Sequence, residues 1–132
     1  MRIAIAALAF CTVACQPAAQ LIGGVDLAKP MRVLGTEPFW GIEISASELV
    51  FTGVDRPEFH APNPGARIEG EIAVIAARDP QGLALTIRLK PAKCSDGMSD
   101  WVYPLEAEVQ LGAETLKGCA APQTLMDERP PG

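Results

Sequence analysis

Residues 83–111 read LALTIRLKPAKCSDGMSDWVYPLEAEVQL. In the first part Leu83, Leu85, Ile87 and Leu89 alternate with Ala84, Thr86, Arg88 and Lys90; in the last, Leu105, Ala107, Val109 and Leu111 alternate with Glu106, Glu108 and Gln110. A period of two sends successive side chains to opposite faces of a strand, so both runs read as half-buried β-strands. If they pair, Arg88 and Lys90 face Glu106 and Glu108 on the outer surface. Between them, Cys94 to Pro104 pack turn formers, two acids, a methionine and two aromatics into one short span, which reads as a loop.

The same period recurs outward from this stretch. Trp40, Ile42 and Ile44 fall on one face and Gly41, Glu43 and Ser45 on the other; Ala46-Ser47 then separates that run from residues 48–52 in the manner of a hairpin. Ile72 to Ala77 is a mostly apolar run, and Asp79-Pro80-Gln81-Gly82 is a turn by composition. Between Gly53 and Gly65, Pro57, Pro62 and Pro64 remove backbone donors, giving a long connection or an irregular edge strand. No stretch carries a capped helical period. Strands near ten residues apart predict an all-β antiparallel meander, closed as a small barrel or folded as a sandwich.

The chain has 132 residues and a net charge of -5, without a basic cluster. Nucleic acid is therefore not an expected partner, because phosphate binding needs a basic stripe. Arg2, the apolar run Ile3 to Phe10 and the small residues before Cys15 have the layout of an exported leader. Ala14-Cys15 looks like a bacterial lipobox, with Cys15 receiving the lipid; Thr12 stands where Leu is usual, and Cys11 is disfavoured by the preceding Phe10. A plain secretory cut near Ala18 or Ala19 is the competing reading. Gln16 after the cysteine points to an outer-membrane lipoprotein facing the periplasm, with the membrane as a partner through the anchor. The expected organisation is a signal peptide over 1–14, a tether over 15–30, a β domain over 31–121 and a disordered tail over 122–132.

Removing Cys11 with the leader and committing Cys15 to lipid leaves Cys94 and Cys119, which an oxidising compartment would join. Two cysteines and a distant His60, with no C-x-x-C spacing, do not make a zinc site. No metal and no cofactor are expected.

Candidate binding residues lie in two stretches. In Glu37-Pro38-Phe39-Trp40 only one of the aromatics can point inward, leaving the other for a partner or a covering loop. In the cysteine loop, Asp96 and Asp100 suit turn capping better than calcium, whose sites need six to eight oxygens. Met98 and Ser99 are possible ligand contacts, Trp101 is a further aromatic, and Tyr103 is expected to bond backbone at the start of the next strand. No catalytic residue is assigned. His60 lacks a nucleophile motif around it, and a glycosidase-type acid pair cannot be picked out by spacing in an all-β chain.

Gly35-Thr36-Glu37-Pro38-Phe39-Trp40, Cys94-Ser95-Asp96-Gly97-Met98-Ser99-Asp100, Tyr103-Pro104 and Leu116-Lys117-Gly118-Cys119-Ala120 together resemble an uncharacterised family of bacterial envelope lipoproteins often found beside or fused to META domains. The resemblance covers about residues 33–120, with Trp101 standing where the family has a polar or basic residue. It implies export, the disulfide and a β fold, and brings no activity. The expectation is a lipid-anchored binding module for an envelope protein or cell-wall ligand; the alternatives are a hydrolase using Asp96, Asp100 or Glu37 and a carrier of an apolar ligand. Metabolic labelling with a fatty-acid analogue should be lost in Cys15→Ser and kept in Cys11→Ser, and equal labelling of both would overturn the lipobox assignment.

Overall fold

The computed structural model describes residues 20–128, with Ala9. Residues 1–8 and 10–19, Cys15 among them, and the last four residues lie outside the described residues. Among the described residues eleven strands and one short helix follow in order. They are β1 (Leu21–Ile22), β2 (Val25–Asp26), β3 (Met31–Gly35), β4 (Trp40–Ile44), β5 (Glu48–Gly53), β6 (Phe59–Pro62), β7 (Arg67–Glu69), β8 (Ile72–Arg78), β9 (Ala84–Ser95), β10 (Val102–Leu111), β11 (Glu114–Pro122) and α1 (Gln123–Asp127).

Strands β3 to β11 form one antiparallel sheet in the order β6-β5-β4-β3-β11-β10-β9-β8-β7. It consists of two meanders, β3–β6 and β7–β11, sewn together where β11 pairs β3 through Cys119↔Leu34, Ala120↔Val33, Ala121↔Arg32 and Pro122↔Met31. The chain passes from one edge strand, β6, to the other, β7, through only residues 63–66. A flat sheet of nine strands would hold its edges about 38 Å apart, whereas that link reaches about 18 Å at most. The sheet therefore curls into a half-barrel.

The alternation read from the sequence is the alternation that fills this curl. Ile42, Leu49, Phe51, Leu85, Ile87, Leu89, Leu105 and Val109 are wholly buried, whereas Glu43, Glu106 and Glu108 stay outside. On the outer face β9 pairs β10 with Lys90 opposite Glu106 and Arg88 opposite Glu108, as the two charge patterns require. Asp79 fixes the β8–β9 turn, its carboxylate accepting from the backbone N–H of Gln81 and Leu83 at 3.0 and 2.8 Å. Leu83 itself lies in that turn, 43% exposed, rather than on the inner face that strict alternation assigns it.

Trp40 closes one end of the half-barrel. Its ring stacks on Phe51 with centroids 6.0 Å apart and crosses Gly35 and Gly118, where a Cβ would run into the indole and, at Gly118, into the Leu34 carbonyl. Arg56 lies over the Phe51 ring at 5.0 Å and bonds both carboxylate oxygens of Glu114 at 3.1 and 2.7 Å.

The opposite end is covered by a piece of chain that composition alone reads as tether. Strands β1 and β2 form a hairpin across Gly23-Gly24, both with positive φ. Ile22 and Val25, each 5% exposed, join the main core. A two-residue strand is too short to show a period, which is why 15–30 reads as linker although 21–26 packs. The end of the chain differs in the same way: the stretch read as a disordered tail from Pro122 holds α1, whose Leu125 and Met126 pack against β11 residues.

Cys94 and Cys119 are joined, their Cα atoms 5.7 Å apart. They sit on β9 and β11, the two strands that flank β10. Strands separated by a third lie about 9.6 Å apart in a regular sheet, so something must bend. The bend is the register shift between Tyr103 and Leu105, where Pro104 has no N–H to donate and Ala92-Lys93 stand opposite it. It folds the end of β9 over the outer face. Breaking the bond with Cys94→Ala/Cys119→Ala should lower stability by about 2–5 kcal/mol in denaturant, with amide exchange rising first at residues 96–103; an unchanged midpoint would show that the bend holds without the bond.

Candidate functional site

Strand β11 sends Ala120 inward and Cys119 and Ala121 outward, so its outer face is apolar and has to be covered. Tyr103, Cys119 and Ala121 form a second small core there, packed by Leu34, Cys94, Trp101, Leu125 and Met126. The cover is the loop after Cys94, held down by the disulfide on one side and α1 on the other.

Asp96 organises that loop. Its carboxylate accepts the backbone N–H of Met98 and Ser99 at 2.9 and 3.0 Å, and Ser99 Oγ donates to it as well. The Tyr103 hydroxyl donates to Asp96 Oδ2 at 2.9 Å, so a carboxylate is among the partners of this tyrosine. Such a bond contributes about 1.5–3 kcal/mol when the acceptor is charged. Ser99 Oγ also accepts Trp101 N–H at 3.3 Å. From the other side Thr36 Oγ1 donates to the Asp96 carbonyl at 3.2 Å, tying the loop to the turn between β3 and β4.

That tie brings the two candidate stretches together. A groove of about 600 Å³ runs over the outer face of β3, β4 and β5, lined by Arg32, Leu34, Thr36, Gly41, Thr52 and Gln123 and rimmed by Phe39, Val54, Met98 and Met126. Phe39, Val54 and Met98 are 57%, 53% and 61% exposed. Three large apolar side chains converging on one concavity make an apolar surface with a polar floor, the kind of patch that marks interaction sites. Gly41 makes the floor: it is buried without a side chain, and the Arg32 guanidinium lies beside the place a Cβ would take, 3.6 Å from it. Arg32 reaches Glu43 through a single hydrogen bond of 3.3 Å.

The other sequence candidates divide between scaffold and rim. Trp40 is the inward aromatic and forms part of the groove wall from below, while Phe39 is the outward one. Glu37 is exposed in the β3–β4 turn with φ of 58°, an uncommon region for a residue with a Cβ, and so holds Phe39 out of the strand line. Asp100 is exposed on the loop and Trp101 is half-buried beneath it, its indole N–H buried and without a hydrogen-bond partner. Met98, read as a ligand contact, belongs to the rim. Val54 and Arg32 were missed, because neither lies in a motif: Val54 follows the last residue of β5 and Arg32 reads as an ordinary outward strand position.

A separate charged cluster sits on edge strand β6. His60 Nδ1 is 2.7 Å from Glu48 Oε1 and its Nε2 is 3.0 Å from Glu58 Oε2. An imidazole can serve both carboxylates as donor only when both nitrogens are protonated. The Glu58 contact first, and then Glu48, raise the His60 pKa above its ordinary value. Among the described residues no group of three or more His, Cys, Asp or Glu is arranged to hold a metal ion.

Compared with known proteins, the chain matches no family model, no curated protein and no solved structure. Because the folded His60 pKa is raised, its contribution to stability is complete below the unfolded value near 6.5 and is lost as pH rises through the folded value. Proton NMR of the His60 ring should show a midpoint above 6.5 that falls in Glu58→Gln; a midpoint indifferent to that change would remove the ion pair as its cause.

Proposed function

We propose that this is a lipid-anchored domain of the bacterial envelope, a member of the lipoprotein family it resembles, which binds a protein or cell-wall ligand in the groove between the β3–β4 turn and the cysteine loop. One observation carries the reading: Phe39, Val54 and Met98, from three separate connections, expose their side chains around a single concavity. Exposing one such side chain is ordinary for a small domain; gathering three is costly in solubility unless something covers them.

A hydrolase reading would use Asp96, Asp100 or Glu37. The Asp96 carboxylate is committed to Met98, Ser99 and Tyr103, which favours a structural duty for it. A carrier reading would place an apolar ligand inside the sheet, yet that space is filled by Trp40, Ile42, Phe51, Leu85 and Ile87. Binding on the outer face needs neither. The lipid attached at Cys15, rather than a helix, would hold the domain at the membrane; no helix among the described residues is long and apolar enough to cross one.

A photo-crosslinker at Thr52, an exposed residue of the groove, should give a discrete adduct in envelopes. Phe39→Ala/Met98→Ala should reduce it about tenfold or more, the loss expected when central apolar anchors are truncated. Adduct yield unchanged in a variant of unchanged stability would take the groove out of the function.

A further inference from the structure

We infer that the end of the half-barrel covered by the β1–β2 hairpin rests on the lipid surface, with Leu21 and Ile68 as its contacts, so that the rim of the groove that carries Phe39 and Val54 is presented away from the membrane. The inference rests on lipid attachment at Cys15 and adds to it an orientation that the anchor alone does not fix.

The argument begins with chain length. Only residues 16–20 separate Cys15 from Leu21, a reach of about 20 Å even when fully extended. Whatever end of the domain carries Leu21 is therefore held within that distance of the acyl chains. Leu21 is 58% exposed, whereas its hairpin neighbour Ile22 is buried in the core. Ile68, on the short edge strand β7, is 43% exposed. The two line one concavity together with Ile22, Gly23, Gly70, Glu71 and Pro91, so the hairpin and the β7–β8 turn form one surface with two apolar side chains projecting from it.

Antiparallel connections alternate between the ends of the curl, and this alternation separates that surface from the Phe39–Val54 end of the groove; Met98, on the β9–β10 connection, is brought toward that end by the hydrogen bond from Thr36 to the Asp96 carbonyl. The β7–β8 turn and the start of β3 lie at one end; the β3–β4 turn that carries Phe39 and the segment after β5 that carries Val54 lie at the other. A domain leashed by the hairpin end thus offers Phe39 and Val54 outward. Two apolar side chains bind a bilayer weakly by themselves. A leash of a few residues, however, keeps them at an effective concentration in the millimolar range or above, where weak contacts are occupied. Glu71 in the same surface, and the net charge of -5, match zwitterionic headgroups better than anionic ones.

The test uses the full chain, lipidated in a bacterial host and reconstituted in vesicles of labelled phosphatidylcholine. A photo-crosslinking phenylalanine is placed in turn at residues 21, 68, 39 and 98. Lipid adducts at 21 and 68 several-fold above those at 39 and 98 are expected. With Cys15-dependent lipid attachment verified by mass, equal yields at the four positions, or higher yields at 39 and 98, overturn the orientation and leave the anchor standing. Absence of lipid on Cys15 overturns the anchor and the orientation with it.

Discussion

The four residues between β6 and β7 are the constraint from which the rest of the structure follows. They join the two outermost strands of a nine-stranded sheet, and so short a link is compatible only with a sheet that curls until its edges lie within the link's reach of about 18 Å. Curl gives the sheet an inside. Once there is an inside, alternation along each strand sorts the residues: Ile42, Phe51, Leu85, Leu105 and their neighbours collapse into it, each such side chain contributing about 1.5–3 kcal/mol. Asn63 fits the link to the sheet end, its side-chain amide donating to the Ser45 carbonyl and its carboxylamide oxygen accepting from Gly65. The prolines around it keep β6 short and unattractive to other strands, which is how an open edge is made safe.

Curl also makes the ends a problem, and the chain solves them differently. At one end a single bulky residue does it: Trp40 needs two glycines beneath it, one on β3 beside its own strand and one on β11 beyond that, and Gly35 and Gly118 are placed for that. The separated motifs around residues 35–40 and 116–120 are thus parts of one packing unit across the β3–β11 seam. At the other end the hairpin supplies Ile22 and Val25, extending the domain ten residues before the point at which alternation begins.

What could be read in the sequence was whatever repeats. Strands β4, β9 and β10 declare themselves by period, β8 by its apolar run, and cysteine counting gave the Cys94–Cys119 bond now seen at a Cα separation of 5.7 Å; β11, buried on both faces at its end, does not alternate. Elements too short to repeat, β1, β2, β7 and α1, left no signal, and a register shift at Pro104 is invisible until the partner strands are aligned. The candidate site was legible by halves. Residues 37–40 and 96–103 each stood out by composition, but that they adjoin depends on a hydrogen bond between Thr36 and Asp96, sixty positions apart. Val54 and Arg32 enter only through that adjacency.

The outward face of β11 explains why the loop and the groove occur together. Cys119 and Ala121 point away from the main core, where polar residues would otherwise solvate the strand. Small apolar side chains there allow the end of β9 to be drawn across β10 and bonded to β11, and Tyr103 to be buried beneath it with its hydroxyl on Asp96. A loop pinned in this way stands proud of the sheet, and the step down from it to the bare backbone at Gly41 is the groove. Filling the outer face with charge, as β9 and β10 do through Arg88, Lys90, Glu106 and Glu108, would have left a solvated surface with no wall for Met98 to stand on. The disulfide and the concavity are therefore two consequences of one choice of residues on β11, which is why a ligand bound there would be sensitive to the bond although neither sulfur lines the groove.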